Sequence, residues 1–193
     1  MSKTPSSSVD LGALLAAEYD YIAQTAHQAN EDRARVSSFY LIAVGSLIAA
    51  LFGTQFVDSG IPIETINIMF SGLFTLLTML GISTIMQLAR LRAAWYESMM
   101  AMNQLKDFVM SQHPELSAAF RWKTVTLPSK YKVNSVSYYQ AVEVSLIGGL
   151  MFGAGIFFLE QAFFKANLVS WIVSLIAAGN MTLLYLQVYK RSL

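Results

Sequence analysis

Four stretches of the chain are apolar almost without interruption: Phe39 to Val57, Ile66 to Met86, Val142 to Phe164 and Leu168 to Leu186. Each is about 19 to 23 residues long, enough for a helix rising about 1.5 Å per residue to cross a hydrocarbon core of about 30 Å. The second stretch does not stop at its polar boundary. From Gln87 onward Arg90, Arg92, Glu97, Lys106 and Asp107 appear, yet Leu88, Leu91, Trp95, Met102, Leu105 and Val109 continue mostly at three- and four-residue steps, with Ser98 filling the one gap. That periodicity predicts one helix over Ile66 to Val109, apolar all round in its first half and amphipathic in its second.

The segment before the first stretch has a matching pattern. Leu15, Tyr19, Ile22, Ala26, Ala29 and Val36 form a narrow stripe, and Arg33 takes the remaining heptad place. Two amphipathic extensions flanking one apolar hairpin predict antiparallel neighbours if the turn at Asp58 to Ile63 is tight. Leu15, Tyr19 and Ile22 then face Leu88, Leu91, Trp95 and Met102. Matching depths near Phe39 and Met86 brings Glu31 and Asp32 level with Arg90 and Arg92, which makes these four the candidate ion pairs.

The fold expected is all-α: a polytopic membrane protein with four transmembrane helices, helices 1 and 2 extended into the cytoplasm as an antiparallel pair. Its parts are a flexible tail (1–9), the first helix with its hairpin and helical extension (10–112), a basic loop (113–136) and a second hairpin (137–193). Asp10 or Ser8 caps the first helix, His113 and Pro114 stop the second, and Asn167 caps the fourth. Ser137 and Gln140 have the spacing of a capping box for the third. Between them, Leu116 to Phe120 suits a short helix, and Trp122 to Leu127 alternates as in a strand or an extended segment.

Composition agrees with lipid as the solvent, because 55% of residues are hydrophobic and 13% charged, about half the charged share of a soluble domain. The net charge of +1 conceals an asymmetry. Every lysine and arginine except Lys165 lies before the first span, between the second and third, or after the fourth. The positive-inside rule therefore puts both termini and the central loop in the cytoplasm of a cell whose inner membrane holds the chain. No apolar core follows the basic residue of the serine-rich start, so no cleavable signal peptide is expected. With no cysteine there is neither a disulfide nor a thiolate site.

Candidate chemistry is sparse. On the second span Glu64, Asn67, Ser71, Thr75 and Thr78 fall within about 80° at about 100° per residue. Such a stripe either lines a polar pore between copies or hydrogen-bonds to neighbouring helices. Gly149 and Gly153 on the third span, and Gly45, Ala49 and Gly53 on the first, have the four-residue spacing that lets helices approach closely in lipid. His27 and His113 lie apart and belong to no metal-binding motif. There is no phosphate loop, nucleophile elbow or facing carboxylate pair. No catalytic residue, metal or cofactor is therefore assigned, and an enzyme is not expected. Arg121, Trp122, Lys123, Lys130, Tyr131 and Lys132 suit an anionic lipid surface rather than nucleic acid.

Glu18, Tyr19, the cluster Glu31-Asp32-Arg33-Ala34-Arg35 and the Phe39-Tyr40 pair opening a two-span hairpin resemble the SLATT group of small bacterial membrane effectors, over roughly Leu11 to Val109. The resemblance implies membrane perturbation or pore formation triggered by a cytoplasmic sensor in conflict systems. The function expected is a homo-oligomeric channel or membrane-permeabilising, antiviral-defence effector, whose partners are the bilayer, further copies of itself and a cytosolic sensor or effector protein. The alternative is a membrane anchor or sensor subunit that docks a cytosolic partner through its helical extensions.

Overall fold

A computed structural model describes residues 10–53 and 60–193, and within them it is helical, with no strand. Four long helices follow one another: α1 (Leu11–Gly53, 43 residues), α2 (Ile63–Gln112, 50 residues), α3 (Val136–Gln161, 26 residues) and α4 (Leu168–Arg191, 24 residues). All four are long and apolar enough to cross a membrane. The expected close of the first span at Val57 and the first two residues of the following turn, Asp58 and Ser59, lie outside the described residues. Gly60, at the end of that gap, has φ +67°, a backbone conformation that glycine adopts without strain.

The helix ends follow from local chemistry. The Asp10 carboxylate accepts a hydrogen bond from the Ala13 amide at 3.1 Å, and Asn167 accepts one from Ser170 at 2.9 Å. α2 runs unbroken through the change from apolar to charged sequence and stops at His113, before Pro114. Its 50 residues make a rod of about 75 Å. The linking segment contains two short 3-10 turns, Pro114–Ala118 and Thr124–Thr126, and nothing in it pairs as a strand.

One cap differs from expectation. The residue that caps α3 is Ser135, whose hydroxyl accepts from the Tyr138 amide at 3.2 Å. Ser137 is buried inside the first turn, and the Gln140 side chain accepts a hydrogen bond from Arg33. A long-range partner has taken the group that a capping box would have used locally. α3 also ends at Gln161 rather than Phe164, leaving Phe163 and Phe164 exposed on the turn.

α2 is the central element, packed along α1 on one side and α3 on another, while α4 lies mainly on α3. α1 and α4 make no close backbone approach among the described residues. The main core joins Tyr40 and Val44 of α1, Phe74, Ile85 and Leu88 of α2, Val144 of α3, and Tyr185 and Tyr189 of α4. A smaller cluster, away from it along the rod, joins Ile22 and Ala26 of α1 to Met102, with Trp95, Met99 and Leu105 around them.

The closest contact is the α3–α4 seam. A methyl group on Gly149 would overlap the Thr182 hydroxyl oxygen and sit 2.6 Å from the Ala178 carbonyl oxygen; one on Gly153 would sit 2.7 Å from the Ser174 carbonyl oxygen. Glycine is required at both places because α4's backbone occupies the space a side chain would need. Gly81 and Gly148 make room differently, for rings. A Cβ on Gly81 would come within 2.9 Å of the Tyr40 and 2.8 Å of the Tyr185 hydroxyl oxygens, and one on Gly148 would meet the Tyr185 ring at 2.8 Å. Seated there, Tyr185 donates a hydrogen bond to the carbonyl of Thr78.

Candidate functional site

Just beyond the apolar stretches, on the side carrying the linking segment, the four helices contribute polar residues to one layer. α1 supplies Arg33, α2 Arg92, α3 Ser137 and Gln140, and α4 Tyr189. Both arginines are buried, with 8% of Arg33 and 6% of Arg92 exposed. Helical phase puts them there. Arg92 follows Ile85, Leu88 and Ala89, all fully buried, on the same face of α2. Arg33 follows Ile22, Ala26 and Ala29 on the buried stripe of α1.

Neutral groups hold both guanidiniums. Arg33 Nε donates to Gln140 Oε1 at 2.9 Å and Nη2 to Asn30 Oδ1 at 2.9 Å. Arg33 Nη1 is buried with no hydrogen-bond partner among the described residues. Arg92 Nε donates to the Lys130 carbonyl at 3.2 Å, which ties the linking segment to α2, and the guanidinium lies 4.3 Å from the centre of the Trp95 ring. Arg92 Nη1 and Nη2 make no hydrogen bond to a described residue. No carboxylate lies within 4.0 Å of either guanidinium among the described residues.

Burial therefore lowers the pKa of Arg33, and Arg92 beside it acts in the same direction; burial also lowers that of Arg92. Tyr189, 2% exposed, stands against both. Its phenol is pushed up mainly by burial, so it stays neutral and offers a dipole rather than a counter-charge. The layer is a nest of donors with surplus positive charge. Its outer side is closed by Tyr131, which packs on Tyr138 and Tyr189 and has Lys190 Nζ 5.5 Å from its ring centre.

The acids expected beside these arginines lie elsewhere. Glu31 approaches His27 at 3.7 Å and Asp32 approaches Arg35 at 3.5 Å, each within α1, while Arg90 is exposed. Neither acid pairs with Arg90 or Arg92. The reason is angular: positions 90 and 92 lie about 200° apart around a helix, so only one of them can face the bundle.

The polar stripe of α2 turns toward α3. The Asn67 amide donates to the Gln161 carbonyl at 3.2 Å, and Ser71 and Thr78 are buried. The Thr75 and Thr78 hydroxyls donate to the carbonyls of Ser71 and Phe74, one turn back, at 2.8 and 2.9 Å. Thr75 keeps an exposed edge and Glu64 is exposed. At the end of the stripe, Glu64 and Asn67 line a hollow of about 490 Å³ with Gln161 and Lys165. Of the small residues, Gly149 and Gly153 make the α3–α4 seam, whereas Gly45 and Ala49 face outward with nothing within 4 Å of a Cβ on Gly45. The packing expected of Gly53 lies outside the described surroundings.

In the extensions, Ile22 and Met102 are buried together, with Trp95 packed against them. Leu88 belongs to the main core, and Leu91 is half-buried. Leu15 and Tyr19 line a groove of 220 Å³ with Leu105, Val109 and Phe120, and Lys106 Nζ lies 5.7 Å from the Tyr19 ring centre.

Two further groups were not singled out by sequence reasoning. Asn180, midway along α4, is exposed and makes no hydrogen bond among the described residues; Gln187, two turns on, is exposed as well. Comparison with protein-family models, with curated proteins and with solved structures returned no match, so the functional argument rests on this geometry.

Proposed function

We propose that this chain is a multi-pass protein of a bacterial inner membrane, with both termini and the basic linking segment in the cytoplasm, that assembles with copies of itself into a channel or membrane-permeabilising effector of the defence type. The paired extensions of α1 and α2 form its cytoplasmic part. The observation that carries the reading is Asn180. An amide without a partner near the middle of a membrane-spanning helix is costly in hydrocarbon, by several kcal/mol. A neighbouring helix that offers the same group removes that cost.

The face around Asn180 is suited to a second copy. Val173, Ile176, Asn180, Leu183 and Gln187 recur at alternating three- and four-residue steps and are exposed. That is a heptad seam in which one polar position sets register and copy number. α4 is also sparsely covered, since it lies mainly on α3. In a ring of copies this face turns toward the axis, and the Asn180 amides line a narrow polar passage there. The α2 stripe, already hydrogen-bonded within the chain, supports the bundle instead.

The continuous α2 rod supports control from the cytoplasmic side. A shift at Trp95 or Met102 moves the core at Ile85 and Phe74 with no loop between to absorb it. Reconstitution into liposomes tests the reading: ion or dye release is expected, and two glycines inserted after Gln87 are expected to uncouple release from its trigger while assembly persists. No release with any partner or ligand, from a protein that stays monomeric in detergent, overturns it. The groove at Leu15, Tyr19 and Phe120 favours the anchor reading. A stoichiometric cytosolic partner lost on changing those residues, without conductance, would establish it.

A further inference from the structure

We propose that the buried Arg33–Arg92 pair binds a phosphoryl group, taken either from a phospholipid headgroup or from a phosphate-bearing solute. Buried charge is tolerated when it is paired, and removing one partner of a buried pair costs about 3 to 5 kcal/mol. Here two guanidiniums share a layer with no carboxylate near either of them, among the described residues. Each is fixed by neutral acceptors on one edge only, Arg33 by Gln140 and Asn30 and Arg92 by the Lys130 carbonyl. Fixing those edges orients the pair without neutralising it, and leaves Arg33 Nη1 buried without an acceptor among the described residues, while the terminal nitrogens of Arg92 bond to no described residue.

The free donors specify the chemistry of the ligand. A carboxylate presents two oxygens in a plane and satisfies one guanidinium fork. A phosphoryl group presents several oxygens in a tetrahedron and can accept from two forks that come from different helices. The Tyr189 phenol, hydrogen-bonded to Ser137 in the same layer, is a suitable neutral donor for a remaining oxygen. The sequence adds further cations at this end of the helices, Arg90, Lys132, Lys190 and Arg191, while Lys130 approaches Glu97 at 4.0 Å. This positive field draws anions toward the layer. The lipid source rests on the membrane placement proposed above, which sets this layer at headgroup depth; the solute source does not. Neither source requires that the protein conduct.

The site also ties three chain segments together. An anion bridging Arg33 and Arg92 would join α1 to α2, and Arg92 already holds the linking segment through Lys130. Occupancy should therefore stiffen the junction where the cytoplasmic extensions meet the spans.

The test uses the full chain, delipidated in detergent. One arm adds inorganic phosphate, against chloride at matched ionic strength, and follows the thermal unfolding midpoint. The other measures phosphatidylglycerol retained per chain through delipidation, by native mass spectrometry. Both arms are repeated with Arg33→Gln and Arg92→Gln. A midpoint raised by phosphate in the wild type, with binding about tenfold weaker in each variant, supports a solute source. Phospholipid retained by the wild type and lost from the variants, with no response to inorganic phosphate, supports a headgroup source. If phosphate leaves the midpoint unmoved and retained phospholipid is absent or equal in all three proteins, the proposal is overturned. Should the glutamine variants fail to fold, Arg92→Lys replaces them, since it keeps the charge and loses the fork; wild-type behaviour in that variant contradicts the geometry.

Discussion

Two faces of this protein carry the same small-residue signature and meet different fates. On α3, Gly149 and Gly153 lie against α4 so closely that neither has room for a methyl group. On α1, Gly45 and Ala49 have the same spacing and face outward with open space around them. Spacing alone permits close approach and does not select a partner. The difference lies on the opposing helix. α4 offers Ser174, Ala178 and Thr182, themselves small, so two backbones meet. The face of α2 that meets α1 instead makes room for a side chain, since Gly81 of α2 lies under the Tyr40 ring of α1, and the small residues of α1 itself stay outside that contact.

This comparison can be broken most directly at Gly149. Gly149→Val places a branched side chain where Thr182 and the Ala178 carbonyl already stand, and the seam should lose about 3 kcal/mol. Unfolding in mixed detergent measures it, and a wild-type midpoint would mean that α4 is not seated as described. Next in size is the outward face of α4. Asn180→Leu should leave the fold intact and weaken self-association about tenfold, the effect of an interhelical hydrogen bond worth about 1 to 2 kcal/mol in lipid. Sedimentation across a range of detergent-to-protein ratios reads that change.

A smaller loss, about 1 kcal/mol, is expected for Tyr185→Phe, which keeps the ring against Gly148 and removes the hydrogen bond to the Thr78 carbonyl. At the far end of the scale, Gly45→Val should shift unfolding by less than about 0.5 kcal/mol, as an outward substitution does. A large loss there would show that the α1 face is covered after all, and that the two glycine faces are alike.

Much of the fold was legible from periodicity. The unbroken α2, its stop before Pro114 and the Asn167 cap all follow from local rules that tertiary structure did not override. The buried arginine layer was half legible. Arg33 already occupied a heptad place on the α1 stripe, and Arg92 continued the phase of Ile85 and Leu88, so burial of both was written in the spacing. Charge complementarity pointed instead to Glu31 and Asp32, which find partners within their own helix. The involvement of Gln140 and the Lys130 carbonyl could not be read from sequence, because each depends on how α3 and the linking segment settle on α2. Asn180 is legible as the one amide midway along the fourth apolar stretch, but the longer polar stripe of α2, whose Thr75 and Thr78 hydroxyls bond to their own helix, is the stronger pattern in the sequence.

The proposed channel requires that copies meet through α4 to form a path across the membrane. The most direct measurement is ion flux into liposomes, comparing wild type with Asn180→Leu at equal protein density, with phosphate and phosphatidylglycerol both present. Flux in the wild type that falls about tenfold in the variant, while Gly45→Val conducts normally, is the result predicted. Equal flux from the wild type and Asn180→Leu, or none from either, would contradict it.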